Sequence, residues 1–314
     1  MRLRLPESCD PVQIAVLPDG RRLAYAEWGD PGGRPVIHMH GLPGSRLEIH
    51  AEPDFYLRAG VRLVTVDRPG YGLSDAHQLG SLLSWAADVE ILADRLGLER
   101  FGVTAMSGGA PFALATAYRL GMRLMGVALA GGIGPLDEPA AWKGIKLVNR
   151  AGLWSAAHFS LGVRVAYSTM RLLLRVDPDR FLDDMANGRP AADRNLLHMA
   201  GLRRREEAML LEAGRAGVAG AVHEVGLLVR PWGFPPSEIR APVDLFHGRE
   251  DDTAPLRHAQ RLAAAIPGSR LHICEGEGHM VMWTHVGEIL AAATGRPLAE
   301  VPSGTGPPPP VLAL

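Results

Sequence analysis

The sequence contains little cysteine and almost no net charge, and each shortage excludes a class of protein. The two cysteines, Cys9 and Cys274, lie far apart and lack the spacing of a metal site, which favours reduced thiols in a reducing compartment. Lysine plus arginine (33) nearly cancel aspartate plus glutamate (34), so the formal net charge is −1. This balance lacks the basic excess of a nucleic-acid-binding protein and the polybasic signal of a protein that binds anionic membranes. We therefore expect no metal site, no nucleic-acid partner and no stable membrane insertion.

Long apolar runs are also missing, although apolar residues make up 47% of the chain. Residues 1–10 include arginines but no apolar run behind them, so we expect no signal peptide. No uncharged apolar stretch reaches the roughly 18–20 residues that a membrane-spanning helix needs. The sequence thus predicts a soluble, cytoplasmic protein with a sizeable core that acts on a small molecule. It leaves the oligomeric state open.

Short strand-like runs alternate with helical segments along much of the chain. Asp19-Gly20 separates two such runs, which is typical of an antiparallel hairpin at the start of the fold. Six further strands are expected, at Val36–His40, Val61–Val66, Phe101–Met106, Leu124–Ala130, Val243–His247 and Arg270–Cys274. Helices are expected at Leu82–Leu96, Gly108–Leu120, Leu256–Ile266 and Met280–Thr294. The pattern predicts an α/β fold whose mostly parallel central sheet carries an N-terminal antiparallel hairpin and helices on both faces.

The alternation stops in the middle of the chain, where helical stretches occur without a clear strand. We expect residues 10–133 and 241–295 to form an α/β core, and residues 134–240 to form a helical cap inserted into it. Such an insert usually acts as a lid over an active site. Residues 296–314 contain the run Pro307–Pro310 and no apolar period, which predicts a disordered tail.

The strongest chemical signal is the segment 105–109, Ala-Met-Ser-Gly-Gly, between a predicted strand and a predicted helix. A sharp turn in this place lifts a serine hydroxyl above the sheet and requires small neighbours, usually as Gly-x-Ser-x-Gly. Ala105 replaces the first glycine at the cost of one methyl group. The segment predicts Ser107 as a nucleophile, although a serine here could instead cap the helix.

A second signal is the glycine-rich turn His40–Ser45, which follows the third predicted strand. A turn in this place can direct a backbone N–H into an active site. The N–H groups of Leu42 and Gly108 together would stabilise the oxyanion of a tetrahedral intermediate. The alternative is a tight loop without a catalytic role.

Two further signals follow neighbouring predicted strands. Asp251 comes after the strand Val243–His247, and His279 comes after Arg270–Cys274. Because the carboxyl ends of parallel strands share one edge of a sheet, both side chains should lie there. The chain order Ser107, Asp251, His279 is that of an α/β-hydrolase triad and differs from the orders of chymotrypsin and subtilisin.

The neighbouring carboxylate of Asp252 is the alternative triad acid. The Gly-x-x-Asp spacing from Gly248 selects Asp251, and Pro255 marks where the next helix can begin. We expect Asp251 to orient the histidine and Asp252 to face solvent or cap the helix.

These motifs resemble the α/β-hydrolase superfamily over residues 10–295. They occur in its order: the His40 loop, the Asp67–Ser74 turn, the Ser107 elbow, the Gly248–Pro255 segment and Gly278-His279. The resemblance implies the fold, the triad and no cofactor, but it does not supply a substrate. The end of the insert, Arg230–Phe234, is similar to a bacterial, largely actinobacterial group without a characterised activity.

Departures from related patterns narrow the chemistry. Proline iminopeptidases carry His-Gly-Gly-Pro-Gly and Gly-x-Ser-Trp-Gly, whereas this chain has Leu42 and Gly108 at the variable places. Epoxide hydrolases and haloalkane dehalogenases carry aspartate where Ser107 stands, which argues against their alkyl-enzyme chemistry. Side chains of the insert that could line a pocket, or simply pack, are His158, Tyr167, His198, His223 and Trp232.

The predicted activity is hydrolysis of an ester or lactone of a small to medium apolar substrate, through an acyl-enzyme on Ser107. The same triad could instead hydrolyse a carbon–carbon bond or perform a cyclisation or tailoring step on a natural product. A third possibility is a non-catalytic binding protein on this fold. The complete set of three triad groups argues against it, because a binding protein has no need of them. The fold alone does not choose between these activities.

Overall fold

A mixed eight-stranded sheet forms the centre of the protein, with strand order β1-β2-β4-β3-β5-β6-β7-β8. The computed structural model describes residues 12–77, 80–137, 139–145, 147–158 and 160–295. The predictions for Cys9 and for the tail, residues 296–314, lie outside these described residues. The strands are β1 (Val12–Val16), β2 (Arg22–Gly29), β3 (Arg34–Met39), β4 (Val61–Val66), β5 (Phe101–Met106), β6 (Leu124–Ala130), β7 (Val243–Gly248) and β8 (Arg270–Cys274). β2 pairs antiparallel with β1 and β4, and the other neighbours pair in parallel. The predicted fold class is confirmed.

Helices cover both faces of this sheet. Those of the α/β core are α1 (Pro53–Arg58), α2 (Leu82–Arg95), α3 (Ala110–Leu120), α10 (Arg257–Ala265), α11 (Val281–Thr284) and α12 (Val286–Thr294). One core cluster packs α2, α3 and α10 against one face, and a second packs α1, α11 and α12 against the other. The central strands are therefore buried on both sides, which explains their nearly continuous apolar sequences.

Two details of the helices differ from the sequence-based expectation. α3 begins at Ala110 rather than Gly108, because residues 107–109 form a tighter 3₁₀ turn. The last predicted helix is interrupted at His285, whose backbone (φ −116°, ψ 22°) is not helical. The ring of His285 bonds Glu277 on one side and Glu288 on the other, which holds it at this break.

The stretch between β6 and β7 is helical in its described residues. Its helices are α4 (Leu147–His158), α5 (Ser160–Val176), α6 (Pro178–Asn187), α7 (Ala191–Leu197), α8 (Ala200–Ala213) and α9 (Ala219–Leu228). Residues 134–240 are termed the insert below. None of the described helices combines the length and the apolar character needed to cross a membrane.

The carboxyl ends of the parallel strands lie side by side. Met39 pairs with Ala105, Ala130 with Met106 and with Phe246, and Gly248 with Cys274. The loops that carry the sequence-predicted site residues leave the sheet from this one edge. The register therefore gathers groups that are far apart in the sequence.

Two glycines of different surroundings test the packing of this fold. A Cβ added to Gly126 in β6 would lie 2.3 Å from the backbone oxygen of Ala292 in α12, whereas one added to Gly226 in α9 would meet open space. We expect Gly126→Ala to push α12 outward and lower the free energy of unfolding by about 1–3 kcal/mol. Gly226→Ala should raise it by about 0.5–1 kcal/mol, because a helix interior favours alanine. Urea unfolding of both variants checks this, and equal effects would contradict the packing described.

Candidate active site

Ser107 has the backbone conformation of a sharp strand-to-helix turn. Its φ is 52°, and it is the one non-glycine residue with positive φ in the described part of the chain. Such a conformation costs on the order of 1–3 kcal/mol and persists only when the surroundings enforce it. The neighbours must be small: a Cβ on Gly108 would lie 2.6 Å from Leu42 Cβ, and one on Gly109 would lie 2.4 Å from the Met39 oxygen.

The loop after β3 (His40–Ser45), termed the oxyanion loop because of its predicted role, lies directly against this turn. A Cβ on Gly108 would lie 3.5 Å from the backbone nitrogen of Leu42, so the two groups predicted to form the oxyanion hole are neighbours. The carboxylate of Glu48 holds the loop, because its Oε1 and Oε2 both accept from the Gly41 N–H, at 3.0 and 2.9 Å. The ring of His38 bonds Glu48 in turn, at 3.0 Å. A buried carboxylate therefore fixes the backbone just before Leu42.

Asp251 and His279 meet at the neighbouring strand ends. His279 Nδ1 lies 2.8 Å from Asp251 Oδ2, and both residues are buried. The other oxygen of Asp251 accepts from the N–H groups of Thr253 and Ala254, each at 2.9 Å. Asp252 is partly buried, and its Oδ1 lies 3.4 Å from Thr253 Oγ1. The structure thus brings Asp251, and not Asp252, to the histidine.

The electrostatics keep Asp251 ionised. Burial acts to raise the pKa of its carboxyl, but the charge of His279 and the hydrogen bonds from His247 and His279 outweigh burial and hold that pKa well below its ordinary value. His247 Nε2 lies 3.2 Å from Asp251 Oδ2 and 2.6 Å from the Ala254 oxygen. Sequence reasoning missed this second histidine, which ends a predicted strand four residues before Asp251 and has no motif of its own.

The turn after β6 contacts both Ser107 and His279. The N–H of Ile133 donates to the backbone oxygen of Ser107 at 3.1 Å. A Cβ on Gly131 would lie 2.9 Å from the His279 oxygen and 3.0 Å from its Nδ1. One short turn therefore contacts both residues, and glycine at position 131 leaves room for the imidazole ring.

The insert reaches the histidine loop through Asp193, a residue that sequence reasoning missed. Its buried carboxylate, on α7, accepts from the backbone N–H of His279 at 2.8 Å and of Met280 at 3.1 Å. A Cβ on Gly278 would lie 2.5 Å from this carboxylate, so the loop packs closely on it. The backbone position of His279 is consequently set by a side chain of the insert, 86 residues earlier in the chain.

The insert also covers the oxyanion loop with apolar side chains. Leu42 packs against apolar clusters that include Leu153, Val163, Tyr167, Val222, Val225 and Leu228. Ser107 is 7% exposed and His279 is 4% exposed beneath this cover. The candidate nucleophile thus lies beneath a largely apolar cover.

The other side chains suggested for the insert have varied surroundings. Tyr167 packs beside Tyr71 and Leu42, near the site. His223 bonds the Gly80 oxygen at 3.2 Å, and Trp232 joins the core cluster beneath α2 and α3. His198 ends α7 at its C-terminus, and the side chain of His158 lies outside the described residues.

A mixed sheet with serine, histidine and aspartate gathered at its carboxyl edge defines a class, the hydrolases of α/β fold. Residues 36–293 match the family model described as Alpha/beta hydrolase family, and the chain belongs to that family. The catalytic triad is typical of this family.

Similar proteins include hydrolases of different substrates. The chain is 30% identical over 283 residues to the 2-hydroxy-6-oxo-6-phenylhexa-2,4-dienoate hydrolase of Comamonas testosteroni, covering 84% of this chain and 87% of that protein. An esterase structure from Rhodococcus matches 93% of this chain and 100% of its own, with TM-score 0.64 and 19% identity. An enol-lactonase from Burkholderia xenovorans matches 89% and 100%, with TM-score 0.63 and 18% identity. At these identities the two structures establish the fold alone.

Asp193→Asn tests whether the insert positions His279. The amide keeps one acceptor oxygen but turns an NH₂ donor toward a backbone N–H. We expect kcat to fall by about 10²-fold, the effect of a small misplacement of a catalytic group, with little change in KM. The matched control is Asp183→Asn, an exposed carboxylate of the same insert that pairs with Arg203. Equal kcat for the two variants would contradict a positioning role.

The two adjacent carboxylates can be separated by kinetics. Asp251→Asn keeps the shape but leaves the wrong imidazole tautomer, which should lower kcat by roughly 10⁴-fold. Asp252→Asn should be mild, because His279 Nδ1 bonds the carboxylate of Asp251. Measuring kcat of both variants with one activated ester tests which carboxylate orients His279. A large loss of kcat in Asp252→Asn, with kcat retained in Asp251→Asn, would instead assign the orientation of His279 to Asp252.

Proposed function

We propose that this protein is a serine hydrolase that cleaves an ester or lactone of a small to medium apolar substrate. The observation that carries the proposal is the buried hydrogen bond of 2.8 Å between His279 and Asp251, on the same edge as the strained turn at Ser107. An imidazole held in this way can act as a general base toward a neighbouring hydroxyl. Membership in the family supports hydrolysis, and the ester or lactone is our choice within it.

The proposed reaction has two steps. His279 takes the proton of the Ser107 hydroxyl as Oγ attacks the substrate carbonyl, and Asp251 stabilises the imidazolium that forms. The N–H groups of Leu42 and Gly108 stabilise the oxyanion. His279 then protonates the leaving group as the carbonyl–oxygen bond breaks, which gives an acyl-enzyme. Water, deprotonated by His279, releases the acid and restores the serine.

The preference for an apolar substrate follows from the cover over the site. Apolar side chains of the insert surround Leu42, and the apolar area that they bury would favour an acyl group of the same character. Because Ser107 and His279 are nearly buried, substrate entry requires that part of the insert moves. We therefore propose that the insert acts as a lid.

Hydrolysis of a carbon–carbon bond is the second candidate. The substrate named for the Comamonas relative is a 2-hydroxy-6-oxo acid with neither an ester nor a lactone, so its hydrolysis breaks a carbon–carbon bond next to a ketone. Such a substrate also carries a carboxylate, which an enzyme binds with a cation.

Arg189 is a cation in a suitable place. Its Nη1 is buried without a hydrogen-bond partner among the described residues, 3.8 Å from the Asp193 carboxylate that holds the His279 loop. Glu206 also faces this guanidinium, but burial and the charge of Glu48 raise the pKa of Glu206 to about 7. Asp193 balances part of the guanidinium charge, and the unused N–H of Nη1 is the group that would donate to a substrate carboxylate. This observation favours a substrate with a carboxylate.

Ser107→Ala tests the proposed chemistry. Because triad members act as a unit, we expect turnover of an activated ester to fall by about 10⁴-fold or more. The fold should survive the loss of one hydroxyl, which circular dichroism and thermal unfolding would verify. Ester turnover close to that of the unchanged protein in a folded Ser107→Ala variant would contradict the proposal.

Arg189→Gln separates the two candidate activities. We expect hydrolysis of a 2-hydroxy-6-oxodienoate to fall by about 10²-fold through loss of the carboxylate contact, while hydrolysis of neutral esters changes little. The control is Arg203→Gln, an arginine of the same insert that pairs with exposed carboxylates. Parallel kcat/KM measurements on both substrates give the result. If the unchanged protein does not hydrolyse the dienoate but hydrolyses esters, the carbon–carbon candidate is rejected.

A further inference from the structure

Cys274, Glu277 and His285 converge beside the histidine loop and take no part in the proposed reaction. The cysteine sulfur, a carboxylate oxygen and a ring nitrogen all lie within 4.8 Å of one another. His285 Nε2 lies 3.0 Å from Glu277 Oε1. Three donors of different chemistry are therefore gathered around one point.

The remaining polar atoms of two of these side chains are already held by neighbours. His285 Nδ1 bonds Glu288 Oε2 at 2.9 Å, and Glu277 Oε2 accepts from Thr284 Oγ1 at 2.6 Å. Nε2 and Oε1, which bond each other, are consequently the atoms that remain for an ion beside the sulfur. A carboxylate on the second ring nitrogen is the usual partner of a metal-binding histidine, because it fixes the tautomer and the ring orientation.

The donor set suits a particular kind of ion. Thiolate, imidazole and carboxylate are the ligands of Zn²⁺, which accepts all three in a tetrahedral arrangement. Mg²⁺ and Ca²⁺ prefer oxygen alone, so the sulfur argues against them. Glu277 and Glu288 also place two carboxylates around His285, so a divalent cation that displaces a ring proton would keep the charge of the site balanced.

We propose that Cys274, Glu277 and His285 bind a Zn²⁺ ion, with water as the fourth ligand. The side chains of His285 and Glu277 are 22% and 25% exposed, so an ion can arrive from solvent. Cys274 is 8% exposed, and the ring of Phe246 lies 6.4 Å from that of His285 on the protein side. The proposed site is thus accessible to solvent through His285 and Glu277, whereas its cysteine ligand is buried.

A second group of possible ligands is less suited to an ion. The side chains of His38, Glu48 and His50 also lie within 4.8 Å of one another. However, all three are buried, and both oxygens of Glu48 accept from the Gly41 N–H. Metal binding there would compete with the support of the oxyanion loop.

The proposed ion would bind at the junction of two loops. The backbone oxygen of Cys274 accepts from the Arg249 N–H at 3.0 Å, and that of Glu277 accepts from the Glu250 N–H at 2.9 Å. These bonds join the loop of Asp251 to the strand and turn that lead to His279. Because an ion that binds only the folded state stabilises it, Zn²⁺ should raise the unfolding temperature.

The test uses the full chain, with Zn²⁺ in titration calorimetry and Co²⁺ as a spectroscopic substitute. We expect one ion per chain and a thiolate-to-cobalt charge-transfer band in the near ultraviolet. Cys274→Ser should remove the band and lower Zn²⁺ affinity by at least about tenfold, and His285→Ala should also weaken binding. Cys9→Ser is the matched control and should leave both unchanged. His279→Ala should also leave them unchanged, which separates this site from the triad.

Glu288→Gln keeps the proposal testable if Cys274→Ser fails to fold. It retains all three ligands but removes the carboxylate behind His285, so Zn²⁺ affinity should fall by about 10–100-fold. Saturable binding of one ion that responds to these substitutions supports the site. The absence of one-to-one binding overturns it. So does a cobalt band that persists in Cys274→Ser, or one that is lost in Cys9→Ser or His279→Ala.

Discussion

The buried guanidinium of Arg68 is the interaction on which the geometry of the candidate site most depends. Its Nη1 donates to the His40 oxygen at 2.5 Å and its Nη2 to the Gly41 oxygen at 2.9 Å, which fixes the backbone of the oxyanion loop. Nη2 also bonds Glu224 of the insert at 2.9 Å, and the guanidinium lies 4.6 Å from the Phe112 ring on α3. Burial acts to lower the pKa of Arg68, but the charge of Glu224 outweighs burial and raises that pKa. Losing Glu224 would leave a buried unpaired charge, at a cost of about 3–5 kcal/mol.

The insert is consequently joined to the core at several points around the site. Glu224 on α9 contacts the oxyanion loop through Arg68, and Asp193 on α7 holds the histidine loop. On α8, Glu212 bonds Arg46 at 2.6 Å, and the Met209 oxygen accepts from Ser45. The insert thus does more than cover a finished site, since the positions of the oxyanion loop and of His279 both depend on it. Contacts of the insert therefore reach both the oxyanion loop, through Arg68, and the loop of His279.

The sequence predicted the features that depend on local pattern. Alternating runs gave the strands, and because parallel strands end at one edge, Ser107, Asp251 and His279 could be placed together before their distances were known. The Gly-x-x-Asp spacing also selected the carboxylate that the structure brings to the histidine. Asp193 and Glu224 could not be found in this way, because an acidic residue on an amphipathic helix has the pattern of a solvated surface.

The same limit applies to the cysteines. Cys9 and Cys274 lack metal-type spacing, and on that ground the sequence predicted no metal site. The ligands proposed to join Cys274 lie on a turn and at a helix break, and the break at His285 was itself not predicted. A ligand set assembled across such irregular backbone has no fixed interval for sequence reasoning to detect. The metal site therefore rests on the structure alone.

The central claim is that Ser107 is a nucleophile activated by His279 and Asp251. The most direct measurement treats the unchanged protein with a fluorophosphonate, which reacts with activated serines, and locates the adduct by peptide mass spectrometry. The account predicts one adduct per chain, on the peptide that contains Ser107, and none after His279→Ala. An unlabelled protein would contradict the account and favour a binding protein built on this fold, and an adduct on another serine would contradict the assignment of Ser107 as the nucleophile.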